Sequence, residues 1–515
     1  MTDGLKILGR EYESHYDAIV VGAGVGGLFC ANLLADAGMK VLVVEQHYVL
    51  GGYCSSFRKK GFVFDSATHF YPLLGNPTTL TGKLLKRLGV ETRWHKMDPV
   101  DKFHFPDGDT FVVPADLSEY LRRLKERFPH ESENVDRFFA EVREAYLYGL
   151  LYYFKEISHE TAEKYRDFTL GQKLDEHFRD PRLKANLMAD HSHWGSLPGH
   201  TSFLFDSMLR LSYFLGNYYP KGSSQAFADD LGDALRRRGG DILLYTNVEK
   251  ILVEQDQARG ILCQTRSRRN PQRLEFRAPI VVSNADVLQT YEKLVGERYC
   301  GGEVLEGLRS LRPSFPCYLM HMGLKGLSHD LKEEIEGYYW RSWNAEDLQH
   351  TFFKIFFTTM FDADLAPPGH DILIVQKWGT SNFDQISDWP AHKRETENYI
   401  LSQLRGLIPG LDDKIVVQMS ASAHTSYRYT LNFRGAMLGW EMSPDQLGPL
   451  RPANRTPIEN LYLVGHWTRP GGGITPVIVS AQRVAELILS GGSLEAGVRD
   501  LARGSGQSKP DPRLA

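Results

Sequence analysis

A glycine-rich turn near the start of the chain has the residue types and spacing of a dinucleotide-phosphate site. The turn reads GAGVGG from Gly22 to Gly27 and fits G-x-G-x-x-G. It follows the apolar, β-branched run 16–21 and precedes a segment over 28–37 that reads as a helix. Gly22 allows the tight turn, Gly24 lets the backbone approach a pyrophosphate, and Gly27 lets the helix pack on the sheet. The pattern predicts anion binding by backbone amides at a helix N-terminus.

An acidic residue completes the pattern. Residues 40–45 read as a second buried strand, and Glu45 ends it 23 positions after Gly22. A carboxylate there can accept hydrogen bonds from the ribose hydroxyls of an adenosine, and it disfavours a 2′-phosphate, so NADP is not expected. The alternative is a glycine-rich turn with a purely structural role, which the two strands, the helix and the acid together disfavour. The pattern does not distinguish FAD from NAD.

The residues after Glu45 favour a flavin. A Gly-Gly pair follows six positions later, and two serines come shortly after it. With these motifs the chain resembles the flavin-dependent amine oxidase and phytoene desaturase superfamily, in which a GG turn runs beside the flavin diphosphate. Within that superfamily it is most similar to the carotenoid isomerase, carotenoid desaturase and retinol saturase branch, because Tyr53 stands where many amine oxidases have arginine. The resemblance implies FAD as the cofactor and places four residues beside it: Gly51, Gly52, Ser55 and Ser56.

Two later segments carry the same resemblance. Strands predicted over 241–282 continue the sheet and end in the motif VVSNAD. The resemblance in this block implies that Val248 contacts the adenine through its backbone. Near the C-terminus, a strand over 456–465 is followed by a glycine-rich turn and a helix over 475–489, a second arrangement suited to an anion. His466 departs from the acidic residue that is common there. The resemblance implies that this segment caps the flavin through five residues: Gly465, His466, Gly473, Ile474 and Thr475.

His69 is the candidate catalytic residue. It lies in the segment 65–72, which in the family passes over the flavin toward the substrate, so it could position a substrate or move a proton. The alternative is an ordinary hydrogen-bonded loop histidine. The pair His191-x-His193 has no acidic or cysteine cluster nearby, so no metal site is predicted. Three aromatic residues are expected to line the substrate cavity: Tyr71, Tyr427 and Trp440.

Composition limits the class of protein. A chain of 515 residues can hold a large FAD domain with an inserted domain, and its net charge of −4 gives no reason to expect a nucleic-acid partner. Five scattered cysteines without a C-x-x-C motif predict reduced thiols, as in a cytoplasmic protein. The N-terminus is too polar for a secretory signal, and no run of 18 apolar residues predicts a membrane span.

The predicted fold is α/β, with a Rossmann-like FAD-binding domain and an inserted mixed α+β substrate domain. The FAD-binding domain is assigned to 1–75, 220–300 and 445–490, the substrate domain to 76–219 and 301–444, and a polar, partly disordered tail to 491–515. Two apolar aromatic segments, 145–154 and 201–219, read as helices. Such helices lie in a core or at a membrane interface, and both positions suit an apolar tunnel and its mouth.

The leading functional hypothesis is an FAD-dependent oxidoreductase that desaturates, isomerises or saturates a C=C bond of a carotenoid or related apolar polyene. The protein would hold the double bond against the flavin in a dry slot, and it would be peripheral on a membrane. The alternatives are a flavin amine oxidase or protoporphyrinogen-oxidase-like enzyme, and a non-catalytic flavoprotein. Tyr53 and the apolar segments disfavour the first alternative, and the flavin-capping segment disfavours the second. The sequence does not predict the oligomeric state.

Overall fold

The computed structural model describes residues 5–7, 9–157, 160–188, 193, 195–341, 352–380 and 382–491. Its strands, in chain order, are β1 Leu5–Ile7, β2 Arg10–Tyr12, β3 Ala18–Val21, β4 Val41–Val44, β5 Ser56–Lys59, β6 Phe62–Asp65, β7 Trp94–Lys96, β8 Asp101–His104, β9 Thr110–Val113, β10 Tyr218–Pro220, β11 Asp241–Leu243, β12 Thr246–Glu254, β13 Gln257–Thr265, β14 Arg273–Arg277, β15 Ile280–Ser283, β16 Cys317–Lys325, β17 Gly337–Trp340, β18 Phe352–Phe357, β19 His370–Trp378, β20 Ile415–Ala421 and β21 Leu461–Leu463.

The α-helices in the same residues are α1 Val25–Asp36, α2 Leu80–Arg87, α3 Leu117–Arg127, α4 Ser132–Gly149, α5 Glu160–Arg166, α6 Leu170–His177, α7 Pro181–Met188, α8 Phe203–Leu215, α9 Ser224–Arg237, α10 Gly302–Ser310, α11 His329–Ile335, α12 Trp389–Leu407, α13 Leu411–Lys414, α14 Ala423–Thr430 and α15 Ile474–Leu489. Two π-helical segments, Leu150–Lys155 and Gln289–Gly296, add to them. The predicted tail beyond Gly491 lies outside the described residues.

A five-stranded parallel sheet is the centre of the nucleotide-binding part. Its order is β11-β4-β3-β15-β21, and every pair in it is parallel. Strands β3 and β4 are buried along their whole length, as expected from their continuously apolar sequences. Helices α1, α9 and α15 share one apolar core with these strands. This is the predicted Rossmann-like arrangement, assembled from segments that are far apart in the chain.

The prediction that all strands over 241–282 continue one sheet is wrong. Strands β12, β13 and β14 form a separate antiparallel sheet, and only β11 and β15 join the parallel one. The cause is the tight turn between β12 and β13, where Gln255 and Asp256 both have positive φ. Two such residues favour a hairpin, whose strands pair with each other rather than with the parallel sheet.

A second, seven-stranded sheet forms the floor of the substrate part, in the order β20-β16-β19-β18-β17-β8-β9. Neighbouring strands are antiparallel except β17 and β8. Alternate residues of β16 face opposite sides: Met320 and Met322 share a core with α12, whereas Leu319 packs with Phe62 and Phe64. One face of the sheet is therefore covered by a helix and the other faces the cavity described below.

Helices α3 to α8 form a layer with an aromatic core. The predicted helix over 117–127 is present with those bounds. The predicted helix over 201–219 ends earlier, at Leu215, because Gly216 has a φ of 128° and residues Tyr218–Pro220 pair with β7 instead. The apolar segment 145–154 is divided between the end of α4 and the π-helical turn that follows it.

Candidate active site

A cavity of about 1020 Å³ runs from the glycine-rich turn to the helical layer and the seven-stranded sheet. This volume is at the upper end for ligand sites, which typically measure about 300–1,000 Å³. One half is lined by the turn, the ends of the parallel strands and α15, and we call it the nucleotide half. The other half is lined by α4, α8 and the sheet, and we call it the substrate half.

The glycine-rich turn has no room for a side chain at Gly24 or at Gly27. A Cβ atom on Gly27 would lie 2.2 Å from the carbonyl oxygen of Gly22, and one on Gly24 would lie 2.9 Å from Asn284 Nδ2. A Cβ atom on Gly52 would lie 3.3 Å from the Cα of Gly24, so the GG turn rests against the first turn. This close cradle at the start of α1 fits a diphosphate held by backbone amides.

Glu45 lies at the carboxyl end of β4 and holds the surrounding loops together. The Ala23 N–H donates to its Oε2 at 2.7 Å, and the His47 N–H donates to its Oε1 at 2.8 Å. Burial raises the pKa of Glu45, and the backbone N–H groups of His47 and Ala23 oppose that shift. Each carboxylate oxygen can accept a second hydrogen bond, so this structural role leaves acceptor capacity for a ribose. The spacing between Gly22 and Glu45 predicted the ribose contact but not this role in holding the loops.

The cavity brings together almost all of the residues predicted to bind the cofactor. Gly27 is the exception, and it packs α1 against Gly22, as its predicted role requires. The following predicted residues line the nucleotide half: Gly22, Gly24, Glu45, Gly51, Gly52, Ser55, Ser56, Val248, Gly465, His466, Gly473, Ile474 and Thr475. Their individual contacts with a cofactor remain predictions.

The C-terminal cap is held by a residue that the sequence analysis did not single out. Arg451 is almost fully buried, and its guanidinium donates to the carbonyl oxygens of Trp440 and His466 at 3.0 and 3.1 Å. Burial and the charge of Arg451 lower the pKa of His466 to about 3. His466 is therefore neutral at neutral pH, whereas the acid common at this position in the family would carry a negative charge.

His69 lines the cavity and is 2 % exposed. Its Nε2 lies 2.9 Å from Gln376 Oε1, and its ring stacks on Phe356 with centroids 5.0 Å apart. Burial, followed by the positive charge of Lys354, lowers the pKa of His69 to about 3. The predicted catalytic residue is thus a neutral, positioned imidazole in the cavity wall.

The substrate half is lined mainly by apolar side chains. Helix α8 presents five residues at the spacing i, i+3, i+4, i+7 and i+8, which is one face of a helix. This spacing was the sequence signal that could have identified them. They are Phe205, Met208, Leu209, Ser212 and Tyr213. The end of α4 and the π-helical turn add Tyr146, Leu150, Tyr153 and Phe154.

The three aromatic residues predicted to line the substrate cavity do not belong to its described lining. Tyr71 is fully buried against Trp94 and Phe227 beneath the nucleotide-binding sheet. Trp440 is fully buried against Trp467. Tyr427, on α14, packs edge-on against Phe383. Tyr71 and Trp440 pack in cores and Tyr427 is half-buried, and aromatic density in the sequence does not distinguish these positions from cavity lining.

A polar group at the inner end of the substrate half was not anticipated. His193 Nδ1 lies 2.6 Å from the Tyr213 hydroxyl, and its Nε2 lies 2.7 Å from the Tyr338 hydroxyl. Behind them, Lys354 Nζ pairs with Asp101 Oδ2 at 2.8 Å. His191, the other histidine of the pair noted in the sequence, lies outside the described residues. No local motif marks this group, because its members come from five separate stretches of the chain.

Comparison with known proteins agrees with this geometry. Residues 25–489 match the family described as flavin containing amine oxidoreductase. Prolycopene isomerase 1 of an Oncidium hybrid cultivar is 27 % identical, over 92 % of this chain and 84 % of its own. All-trans-retinol 13,14-reductase of Rattus norvegicus is 26 % identical, over 87 % and 82 %. Phytoene desaturase (neurosporene-forming) of Rhodobacter capsulatus is 26 % identical, over 92 % and 93 %.

Solved structures show the same fold. An oxidoreductase from Methanosarcina mazei superposes with a TM-score of 0.64 at 18 % identity, covering 91 % of this chain and 99 % of that one. The family match begins at Val25, within the glycine-rich turn, and includes the substrate-half walls and the C-terminal cap, so it reaches both halves of the cavity. The chain belongs to the flavin containing amine oxidoreductase family, and it is an FAD-dependent oxidoreductase.

Proposed function

We propose that this oxidoreductase acts on a carotenoid or related apolar polyene, by desaturation, cis–trans isomerisation or saturation of a C=C bond. The observation that carries the proposal is the chemistry of the cavity wall. Among the described residues, its only acidic members are Glu45 and Glu249, and both lie in the nucleotide half. The substrate half offers aromatic rings, leucines and methionines, which favour an uncharged, apolar ligand. The names of the relatives, which refer to prolycopene, retinol and phytoene, support the same class.

The proposed division of labour follows from the two halves. FAD supplies hydride chemistry when bound, and we propose that the predicted cofactor residues lining the nucleotide half hold it. The apolar walls of the substrate half would exclude water and fix the polyene, and His69 would contact it. We propose the discontinuous domains of the sequence analysis as the units involved. Residues 1–75, 220–300 and 445–490 would bind FAD, and 76–219 and 301–444 would hold the substrate.

An amine oxidase activity is the second candidate, and the charges disfavour it. Most amine substrates are cations at neutral pH, and a buried cation needs a nearby carboxylate or a cage of aromatic rings. Lys354 already places a positive charge 3.6 Å from the centre of the Phe70 ring, which lines the cavity. The described lining of the substrate half offers no carboxylate to pair with a second cation. A non-catalytic flavoprotein is disfavoured because the cavity joins the two halves.

The test uses purified holoenzyme in detergent under anaerobic conditions. Lycopene, phytoene, prolycopene and all-trans-retinol would be incubated separately with the oxidised and with the chemically reduced enzyme. We expect at least one polyene to change its absorption spectrum and chromatographic mobility. Putrescine and benzylamine serve as amine controls and should leave the flavin spectrum unchanged. Flavin reduction by an amine, with no change in any polyene, would contradict the proposal.

We further propose that an apolar patch beside the substrate half contacts a membrane surface. The patch consists of Leu147, Leu151, Ile157 and Leu450, which are 57, 37, 49 and 56 % exposed. The Ile157 N–H donates to the carbonyl of Leu151, which places these two residues together. None of the helices in the described part of the chain combines the length and apolar character needed to span a bilayer.

The position of this patch supports the proposal. Leu150 and Phe154, on the same turn of chain, point into the cavity, so one layer of helix separates the patch from the substrate half. At its edge, Arg469 pairs with Glu156 and its side chain is 25 % exposed. A membrane in contact with the patch would therefore lie one helix layer away from the substrate half.

Liposome flotation tests the patch. We expect the wild-type protein to float with vesicles of phosphatidylcholine and phosphatidylglycerol, and the double variant Leu147→Glu/Leu151→Glu to remain in the dense fraction. Val304→Glu is the matched control, because Val304 is 40 % exposed on α10, in a different core region. Equal flotation of the double variant and the control would contradict the assignment of the patch.

A further inference from the structure

The buried arginine behind the C-terminal cap has no carboxylate partner among the described residues. Arg451 is 2 % exposed, and every acceptor of its guanidinium is uncharged. These acceptors are the carbonyl oxygens of Trp440, Glu441, Gln446 and His466 and the sulfur of Met442. Burial lowers the pKa of Arg451 to about 10, so the guanidinium stays charged at neutral pH.

The carboxylates on the neighbouring residues are paired with other arginines. The side chain of Glu441 accepts a hydrogen bond from Arg312 at 2.8 Å. Arg469, whose Nε donates to the carbonyl oxygen of Arg451, shares Glu156 with Arg483. A buried charge is unfavourable unless an opposite charge compensates it. Arg451 therefore favours negative charge in its surroundings.

Arg451 lies where the two halves of the cavity meet. Its Nη2 donates to the carbonyl oxygen of His466 at 3.1 Å, and His466 lines the nucleotide half. Tyr153 lines the substrate half, and its hydroxyl and the Arg451 guanidinium both contact the sulfur of Met442. A Cβ atom on Gly471 would lie 2.8 Å from Tyr153 Oη and 3.1 Å from Arg451 Cζ, so the charge is close behind both walls.

The junction of the two halves is where the reacting end of FAD must lie, because a substrate in one half has to meet a cofactor held in the other. In a desaturation, a C–H bond of the polyene breaks, and its hydrogen and electron pair form an N–H bond at flavin N5. A proton leaves the neighbouring carbon to water and completes the double bond. The polyene is oxidised, and the flavin ring, which was neutral, gains one negative charge.

A fixed positive charge behind the wall stabilises this negative charge without touching it. The interaction is electrostatic and acts through a protein interior that screens charge poorly, so no atom of Arg451 has to reach the cavity. His466, the residue between Arg451 and the cavity, leaves the charge uncompensated. Burial and the charge of Arg451 lower the pKa of His466 to about 3, so its side chain is neutral. An acidic residue at this position would cancel the effect of Arg451.

We infer that Arg451 raises the reduction potential of the bound flavin by stabilising the negative charge that the ring gains with a hydride. The inference rests on the proposed placement of FAD in the nucleotide half and deepens it by naming the residue that sets the potential. It favours the direction in which the flavin accepts a hydride from the polyene. Arg451 acts across the cap and does not contact the flavin, so it is a positioning residue.

The test is the two-electron reduction potential of the purified FAD-loaded protein, measured anaerobically against a reference dye. Arg451→Met removes the charge and keeps a similar bulk. Its reduced flavin should be less favoured by about 10- to 100-fold, the range for unit charges about 6 to 12 Å apart at an effective dielectric constant of about 20. This change corresponds to a potential lower by about 30–60 mV. Arg451→Lys keeps the charge and should keep the wild-type potential.

Further variants separate the charge from packing. Arg483→Met removes a guanidinium that is paired with Glu156 in the same region, so it should change the potential much less. His466→Glu places a carboxylate next to Arg451 and should lower the potential as Arg451→Met does, whereas the neutral His466→Gln should not. Sulfite, an anion that adds to flavin N5, gives a second readout. Its dissociation constant should rise about 10- to 100-fold in both Arg451→Met and His466→Glu.

The outcomes separate the inference from the proposed function. Equal potentials for the wild type and a folded, FAD-loaded Arg451→Met would overturn the inference, and so would equal shifts in Arg451→Met and Arg451→Lys. If Arg451→Met loses FAD, equal potentials for His466→Glu and His466→Gln overturn it.

The wild-type protein also decides without any variant, because a potential at or below that of free FAD would contradict the inference. In these cases the polyene function stands, since conversion of polyenes is measured separately. Failure of every polyene to react would overturn the proposed function and leave the measured potential as evidence on Arg451. A wild-type protein that cannot be loaded with FAD would overturn the placement of the cofactor and the inference together.

Discussion

Replacement of Asp101 by Asn should destabilise the protein far more than loss of an equally short ion pair at the surface. Lys354 and Asp101 are only 1 and 8 % exposed in their side chains, and Nζ lies 2.8 Å from Oδ2. Asp101→Asn keeps the shape and removes the charge, so it leaves the Lys354 ammonium without its carboxylate. Breaking a buried pair in this way typically costs about 3–5 kcal/mol. The rings of Phe70 and Tyr338, which lie against Nζ, place the expected cost at the lower end of that range.

The expected shift in melting temperature follows from the size of the protein. At about 2.1 cal/mol/K per residue, a chain of 515 residues has an unfolding entropy of about 1 kcal/mol/K. A loss of about 3 kcal/mol then lowers Tm by about 3 °C, which differential scanning calorimetry of the holoenzyme can resolve. The matched control is Asp412→Asn, whose carboxylate pairs with Arg405 at 2.9 Å while both side chains are half exposed or more.

The control should change Tm much less, because water and salt screen an exposed pair. The comparison is informative because both variants make the same chemical change at nearly the same N–O distance. Equal shifts in Tm for the two variants would refute the reasoning. So would a large shift for Asp101→Asn that disappears in 1 M NaCl, since a buried pair is poorly screened.

Three further predictions concern acidity and the glycine-rich turn. His69 and His466 have folded-state pKa values of about 3, whereas unfolded histidine titrates near 6.5, so the unfolded state binds more protons between these values. The contribution of these neutral histidines to the free energy of unfolding should therefore be fully present above pH 6.5. Below that pH it should decrease by up to about 1.4 kcal/mol per histidine per pH unit, so Tm should fall less steeply with decreasing pH in His466→Asn than in wild type. Burial raises the pKa of Glu336 to about 7, so its folded form retains a proton that the unfolded form loses above about pH 4.5. Stability is lost as the pH rises from 4.5 to 7, and Glu336→Gln should raise Tm relative to wild type at pH 8 but not at pH 4.5. Gly27→Ala places a Cβ atom 2.2 Å from the Gly22 carbonyl and should abolish bound FAD, measured after heat release, whereas Gly307→Ala, in open space on α10, should keep it.

Each of these predictions has a contrary result. An acid slope unchanged in His466→Asn would mean that the imidazole is not held neutral by burial. A Glu336→Gln variant with the same Tm difference from wild type at both pH values would show that the carboxyl does not titrate abnormally. FAD retained at wild-type levels by Gly27→Ala would show that the first turn tolerates a side chain.

The nucleotide half was predictable because its rules are local. The turn from Gly22 to Gly27 requires glycine wherever the backbone comes close, and the flanking strands are buried on both faces, so their sequences are continuously apolar. The same rule explains why the pattern placed Gly27 correctly at the junction of helix and strand. The structural role of Glu45 was missed, because it depends on a tertiary contact, the hydrogen bond from the Ala23 N–H to its carboxylate.

The substrate half was less predictable because its polar groups meet only through tertiary structure. Lys354 and Asp101 are 253 residues apart, and they come together because β8 and β18 flank β17 in one sheet. Tyr71 was assigned to the cavity although its neighbours in the sequence, His69 and Phe70, are the residues that line it. An irregular segment has no fixed periodicity, so the direction of each side chain could not be derived from spacing.

The order of strands in the parallel sheet has a consequence for how the protein is made. Of the strands in this sheet, β3 and β4 leave the ribosome first. Strand β21 and helix α15, which complete the sheet and cover α1, are translated only after the whole seven-stranded sheet. The nascent chain must therefore keep the apolar face of α1 from aggregating until residues 461–489 emerge. If residues 465–475 bind FAD as proposed, FAD loading is a late step in biosynthesis. When flavin is scarce, we then expect chains in which the capping segment 465–475 is cleaved by proteases while the helical layer α3 to α8 is already folded.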